Sequence, residues 1–386
     1  MFADGIPERV NWDKFAVDCR QRDDLTDNQK QRCKEAFLFL EAELGYVPWV
    51  IDGVGHPLGG RLIWNSGCLW ACDFADALRA IQMDDNYRKL RKRLKKPETF
   101  SVALSELNAA HLFHEAGFEV KLEPQVEHGR SRKFPDIKLI NKDSGEHLYC
   151  EVSMLGDSDK EKRASKTDVG LSMAILLPGT ILHFAGRMYR SCSDVELKEV
   201  GEKIREFSRK VVNVDGFGTL TIEGILTLSI STESQRERLK VWTDQVGMQF
   251  DSFEGPPVDM DHLQRMLGKM AHERRQLSPN HLNVIFVEGG NLLFGLGSYK
   301  DPGVIHAAAE VIRQKLLEWP QVLAVIIKGG YMGRPYKNSV ETPAFSFIYR
   351  EKYYAEVEQY MVVMNLAANP AASESTIQKI RQSIFK

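Results

Sequence analysis

Three acids between Ser105 and Leu155, namely Glu106, Asp136 and Glu151, have the residue types and the setting for metal chemistry with oxygen ligands. Carboxylates brought to one point repel one another. A bound Mg2+ or Mn2+ relieves that repulsion, because both ions prefer oxygen donors. Glu151 stands inside the apolar-rich run Leu148-Tyr-Cys-Glu-Val, where an unpaired charge is costly to bury. The bland alternative is three surface acids with no shared site, since each is common on its own.

The elements that must position these acids follow from periodicity. Leu104, Leu107, Ala110, Phe113 and His114 recur at spacings of three and four, which predicts a helix ending at Gly117. Glu106 is then expected in the first turn, where a carboxylate favours the helix dipole. Phe118, Val120 and Leu122 alternate with polar residues as a strand does, and Pro124 closes it. A second strand is expected from Lys133 to Asn141, with Asp136, Lys138 and Ile140 on one face. Asn141 to Gly145 reads as a hairpin turn. A third strand follows from His147 to Met154, with Tyr149, Glu151 and Ser153 on one face.

This arrangement resembles the PD-(D/E)XK (restriction-endonuclease-like) phosphodiesterase superfamily. Pro135-Asp136 matches the "PD", Glu151-Val152-Ser153 matches the "(D/E)XK", and Glu106 matches the family's frequent helix glutamate. Further on, Arg275-Gln276-Leu277 followed by Val284-Ile-Phe-Val287 looks like the family's later helix and buried strand. The resemblance implies an α/β fold with a restriction-endonuclease-like mixed β-sheet core flanked by helices. It also implies a metal-dependent nuclease that hydrolyses phosphodiester bonds. Glu106, Asp136, Glu151 and the Val152 carbonyl would be its Mg2+ or Mn2+ ligands. One departure stands out: the family's lysine position holds Ser153, which cannot supply positive charge. Lys138, two residues beyond Asp136 on the same face, is the nearest substitute. Lys269 and Arg275 come next, and Lys203 is weaker. The competing class is a catalytically inactive nuclease-like module that binds nucleic acid or a protein partner. Ser153 favours it, and the three retained acids argue against it. A nucleotide-handling module has only the Gly-Gly turns after Glu288 and Lys328 behind it.

The 386 residues suffice for two or three domains. The expected division is a helical N-terminal domain over 1–98, a nuclease-like domain over 99–350 with an insertion at 171–258, and a helical tail over 351–386. A formal net charge of −2 excludes a global basic field, so nucleic-acid contacts must come from local patches. Seven of the nine residues from Arg88 to Lys96 are basic. Leu90 and Leu94 give that helix a docking seam, which turns Arg88, Arg91, Lys92 and Lys95 outward toward phosphates. The loop before Asp136 adds Arg130, Arg132 and Lys133. Nucleic acid is the expected partner, with DNA ahead of RNA, and a homodimer is an option.

His111 and His114 read as packing or surface histidines, because H-x-x-H-E is not the zinc-protease order. The six cysteines have no disulfide-framework spacing, which suits a cytoplasmic protein. Cys68 and Cys72 lie one helical turn apart with no second pair at zinc-site spacing, and read as core cysteines. Neither a signal peptide nor a membrane span is expected. Residues 156–170 read as a polar loop, and residues 351–369 as a helix.

Overall fold

The strand Leu282–Glu288 is apolar at almost every position, and residues 282–287 are all buried. Such a strand must be covered on both faces, and the architecture around it follows from that need. The structure, a computed structural model, describes residues 9–51, 54–63, 67–128, 131–133, 135–156, 159–177, 179–248, 250–254, 262–289, 302–332, 339–352, 356–368 and 371–385, some of them by backbone alone. The chain forms two compact units, Met1–Leu155 with Asp261–Lys386, and Gly156–Met260.

The first unit opens with helices α1 (Trp12–Arg20) and α2 (Asp27–Leu44), a short pair β1 (Val50–Ile51) and β2 (Val54–Gly55), and α3 (Pro57–Leu62). Three more helices follow: α4 (Gly67–Ile81), α5 (Tyr87–Leu94) and α6 (Pro97–Glu115). Next come β3 (Glu119–Leu122), the small hairpin β4 (Val126–His128) and β5 (Ser131–Lys133), then β6 (Ile137–Asn141) and β7 (Glu146–Met154). The second unit carries α7 (Asp159–Ile175), β8 (Leu182–Met188), α8 (Asp194–Asn213), β9 (Phe217–Ile222), β10 (Leu226–Thr232), α9 (Arg236–Val246) and β11 (Ser252–Glu254). The chain returns to the first unit with α10 (His262–Glu273), β12 (Leu282–Glu288), α11 (Pro302–Leu317) and β13 (Val322–Met332). It ends in β14 (Val340–Glu341), β15 (Phe345–Glu351), β16 (Glu356–Met364) and α12 (Glu374–Ser383).

An eight-stranded mixed sheet organises the first unit, in the order β14-β15-β16-β13-β12-β7-β6-β3. β12 runs parallel to both β7 and β13, and the remaining pairs are antiparallel. One face packs Val284, Phe286, Ile326 and Val362 in a core with Leu107 and Phe113 of α6, the N-terminal helices, and Ile380 of α12. The other packs Ile285, Val287, Val325 and Ile327 with Met266 and Met270 of α10 and Ile312 and Leu316 of α11. The N-terminal helices therefore share one core with the sheet. Where β7 and β12 end together, Leu155 N–H donates to the Glu288 carbonyl at 2.7 Å. Gly289 there has φ +103°, and a Cβ on it would meet the Leu155 oxygen at 2.3 Å, so the turn requires glycine.

The second unit is a four-stranded sheet, β11-β8-β10-β9, with its own core of Leu171, Ile175, Ile204 and Leu228. Among the described residues no helix is long and apolar enough to cross a membrane.

Several expectations are corrected. Helix α6 begins at Pro97, a residue suited to a first turn, so Glu106 stands in mid-helix rather than in the first turn. The strand expected from Lys133 to Asn141 is two strands, β5 and β6. Pro135 cannot donate to a ladder, and the break falls there. The expected loop at 156–170 is largely helix α7: its Lys, Glu and Ala residues favour helix, and Leu171, Ala174 and Ile175 anchor it in the core. The expected helix at 351–369 contains strand β16, whose Val, Tyr and Met residues pair with β13 on one side and β15 on the other.

Candidate functional site

Asp136 is held at the bend before β6 by contacts at both its ends. Its carbonyl accepts the Glu123 N–H at 2.7 Å, and its carboxylate Oδ2 accepts the Val152 N–H at 2.7 Å. The register of β6 against β7 explains the second bond. Ile137 pairs with Cys150, so β7 runs on past the end of β6 and the Asp136 side chain caps its next free N–H. In an extended strand the N–H and C=O of one residue point to the same edge. The Val152 carbonyl therefore emerges on the edge that carries Asp136.

Glu151 is buried on β7, directly before Val152, whose N–H holds Asp136. Burial pushes the Asp136 carboxyl above its ordinary range, and the negative charge of Glu273 adds to the rise. The Val152 N–H, Glu151 and Arg93 act the other way.

Glu106 approaches from α6, on the opposite face of the sheet from α10. It is buried, and both its carboxylate oxygens take hydrogen bonds from the guanidinium of Arg93, Nη1 at 2.6 Å and Nη2 closer still. Arg93 also reaches Glu123 at 3.2 Å. Burial nonetheless pushes the Glu106 carboxyl up to about 7, against the pull of Arg93 and with a further push from Asp136 and Glu123. The helix itself is tied down by a half-buried polar network. Asn108 donates to Glu288 at 3.0 Å, and Lys328 lies 3.3 Å from Glu288 and 3.5 Å from Glu358.

Ser153 follows Glu151 by two residues and shares its face of β7. Its hydroxyl donates to Glu273 Oε1 at 2.9 Å. Glu273 is buried on α10, accepts from Gln276 at 2.7 Å, and has the Lys269 ammonium 3.7 Å away. Ser153 is thus joined through one carboxylate to Lys269, one helical turn before Glu273.

The other candidate cations are placed differently. Lys138 pairs across the ladder with Tyr149, whose ring stacks edge-on against His281; burial holds the His281 pKa down, and His147 and Lys138 add to it. Lys138 lies along the sheet from Asp136 toward that end. Arg275 is exposed in the turn after α10. Lys203 belongs to α8 of the second unit.

Among the described residues no three carboxylates gather their oxygens within 4.8 Å of one another. The site is Asp136, tied to Val152 beside the buried Glu151, with Glu106 and Glu273 within electrostatic reach of Asp136. Sequence reasoning missed Glu273 and Arg93. Arg93 was visible only as one of a basic run, and Glu273 only as a helix residue three positions before Gln276.

The basic helix α5 docks through Tyr87, Leu90 and Leu94, all buried. Much of its charge is committed inside the protein. Arg91 pairs with Glu43 at 2.9 Å, Lys89 with Glu123 at 3.2 Å, and Arg93 with Glu106. Arg88 and Lys92 are exposed, and Lys95 is half-buried. Arg130 lies outside the described residues, as do the side chains of Arg132 and Lys133. His111 is half-buried, with its pKa lowered by burial, and stands 3.8 Å from Glu115; His114 is exposed.

No protein-family model matches this chain, and no curated protein matches its sequence.

Proposed function

We propose that this chain is a divalent-metal-dependent phosphodiesterase acting on nucleic acid, built on a restriction-endonuclease-like core. The order of elements supports that core: helix α6, three antiparallel strands β3, β6 and β7, then helix α10 and strand β12 parallel to β7. The observation that carries the activity is the half-buried Asp136 carboxylate tied to the Val152 N–H at 2.7 Å, directly beside the buried Glu151 and with the Val152 carbonyl on the same edge. An all-oxygen donor set with surplus negative charge suits Mg2+ or Mn2+. Asp136, Glu151 and the Val152 carbonyl would hold the ion, with Glu106 beside them. When bound, it supplies Lewis acidity to a phosphate oxygen and to water.

The protein's own groups do the rest. The Val152 N–H fixes the orientation of Asp136. Glu106, poised near neutrality and held by Arg93, can keep or release a proton. Lys269 supplies the positive charge that Ser153 cannot, and the Ser153 hydroxyl orients Glu273 beneath it. Arg88 and Lys92 offer exposed charge for backbone phosphates.

A second reading, a nuclease-like module that binds nucleic acid or a protein without cutting, is favoured by the closure of Arg93 on Glu106. Incubating wild type and Asp136→Ala with single- and double-stranded DNA and RNA, with Mn2+, Mg2+ or EDTA, separates the two. Cleavage that needs metal and vanishes in the variant supports the enzyme. Retention of nucleic acid without cleavage by either protein supports the binding module.

A further inference from the structure

Three of the six cysteines meet at one point in the N-terminal helices, and a fourth stands beside one of them. Cys19 comes from the last turn of α1, Cys33 from α2, and Cys68 and Cys72 from the first two turns of α4. All four are buried. The sulfurs of Cys19, Cys33 and Cys68 lie within 4.8 Å of one another, and Cys72 Sγ is 3.4 Å from Cys33 Sγ. We propose that these four thiols form a tetrahedral structural site for a single Zn2+ ion.

The spacing argues for one ion. Four sulfurs at about 2.3 Å from a tetrahedral zinc stand about 3.8 Å apart; the Cys19, Cys33 and Cys68 sulfurs lie within 4.8 Å of one another, and Cys72, 3.4 Å from Cys33 but outside that group, reaches the ion by rotation about its Cα–Cβ bond. A bridged iron–sulfur cluster lies between its thiolates and spreads them wider. The donor set argues for the metal: thiolates select zinc over the oxygen-seeking Mg2+ and Mn2+. Charge points the same way. Arg22 Nη1 lies 3.5 Å from Cys68 Sγ, which offsets part of the negative charge that four thiolates leave on a zinc site. Cys68 sits in the first turn of α4. Gly67 fixes that end: a Cβ there would stand 2.4 Å from the Leu62 carbonyl, so the helix start is pressed against the preceding turn. Plain packing of small apolar thiols explains their burial. It gives no reason for three separate helices to bring their cysteines to one point.

Such an ion staples α1 and α2 to α4, and α4 packs in the core that also holds α6. Its role is to stabilise the layer behind Glu106, and it is independent of the carboxylate chemistry.

The test is metal analysis of the full chain, purified with reductant and without chelator from zinc-supplied cells. About one zinc per chain is expected in wild type and below about a tenth in Cys33→Ser/Cys68→Ser. Asp136→Ala/Glu151→Ala keeps its zinc, so failure of the carboxylate site does not affect the result. Because the cysteine variant can fail to fold, Co2+ is also exchanged into wild type. Visible bands of tetrahedral thiolate-bound Co2+ are expected. Metal-free, folded wild-type protein with reactive thiols overturns the proposal. So does a Cys33–Cys72 disulfide in place of metal, or iron recovered at several atoms per chain.

Discussion

Ser153 Oγ donates to Glu273 Oε1 at 2.9 Å, and the Lys269 ammonium stands 3.7 Å from the same oxygen. The bond joins the central strand of the carboxylate site to helix α10. Under the proposed nuclease reading, Lys269 on that helix is the cation that β7 does not carry. Lys269 is 41% exposed, so its removal leaves the core intact.

Lys269→Ala is therefore expected to lower kcat on nucleic acid by about 10²–10⁴-fold, with little change in Tm. Adding Ser153→Lys to that variant places an ammonium beside Glu273 from the strand side, and partial recovery of cleavage is expected. Steady-state cleavage rates of the two variants decide it. Unchanged kcat in Lys269→Ala would remove this lysine from the reaction.

Arg93 is expected to matter to stability through Glu106. Removing the guanidinium leaves a buried carboxylate without its partner, whereas removing both charges does not. Urea denaturation at neutral pH should find Arg93→Ala destabilised by about 2–3 kcal/mol, with part of the loss recovered in Arg93→Met/Glu106→Gln. Equal stability of the single and double variants would mean that the pair does not act as a unit.

The pH dependence of stability has a definite sign. Burial raises the Glu106 carboxyl to about 7, above its unfolded value near 4.5. Between those values the folded protein keeps a proton that the unfolded chain has lost. Metal-free protein should therefore lose stability as pH rises from about 4.5 to 7, by about 3 kcal/mol from this group. Asp136, raised in the same direction, adds to the trend. Glu106→Gln should flatten the profile, and the affinity for Mn2+ should climb over the same interval as protons leave. A stability profile that rises through this window would contradict the assignment.

Exposed and internally paired basic residues should behave differently. Arg88→Ala/Lys92→Ala is expected to weaken binding evenly across sequences and reduce the salt slope by up to about 2, with stability unchanged. Arg91→Ala should instead lower stability, because Arg91 shares Glu43 with the Tyr87 hydroxyl. Filter binding over a range of salt concentrations, with thermal unfolding alongside, separates the two.

Local pattern made much of the sheet legible. The alternation around Val120, the turn at Asn141 to Gly145 and the unbroken apolar run at Val284 to Val287 fix strands by side-chain period alone. The mixed α/β class followed from them. What was not legible depended on partners distant in sequence. Strand β16 looks helical until β13 and β15 offer it two edges. Arg93 looks like one member of a solvated basic face until α5 and α6 bring it to Glu106. Cys68 and Cys72 are the core residues their sequence suggests, but the neighbouring sulfurs of Cys19 and Cys33 come from two other helices and were not legible. Asp136 and Glu151 were legible as candidates because their spacing is local. Glu273 joins them only after the chain has passed through an entire second unit.

The most direct test of the carboxylate site is calorimetric titration of Mn2+ into wild type and into Asp136→Ala/Glu151→Ala, both previously treated with chelator. Binding to wild type at neutral pH that is lost in the double variant, while the variant keeps its fold by circular dichroism, is the expected result. Equal binding to both proteins, or none to wild type even with nucleic acid present, would contradict a metal site at Asp136 and Glu151.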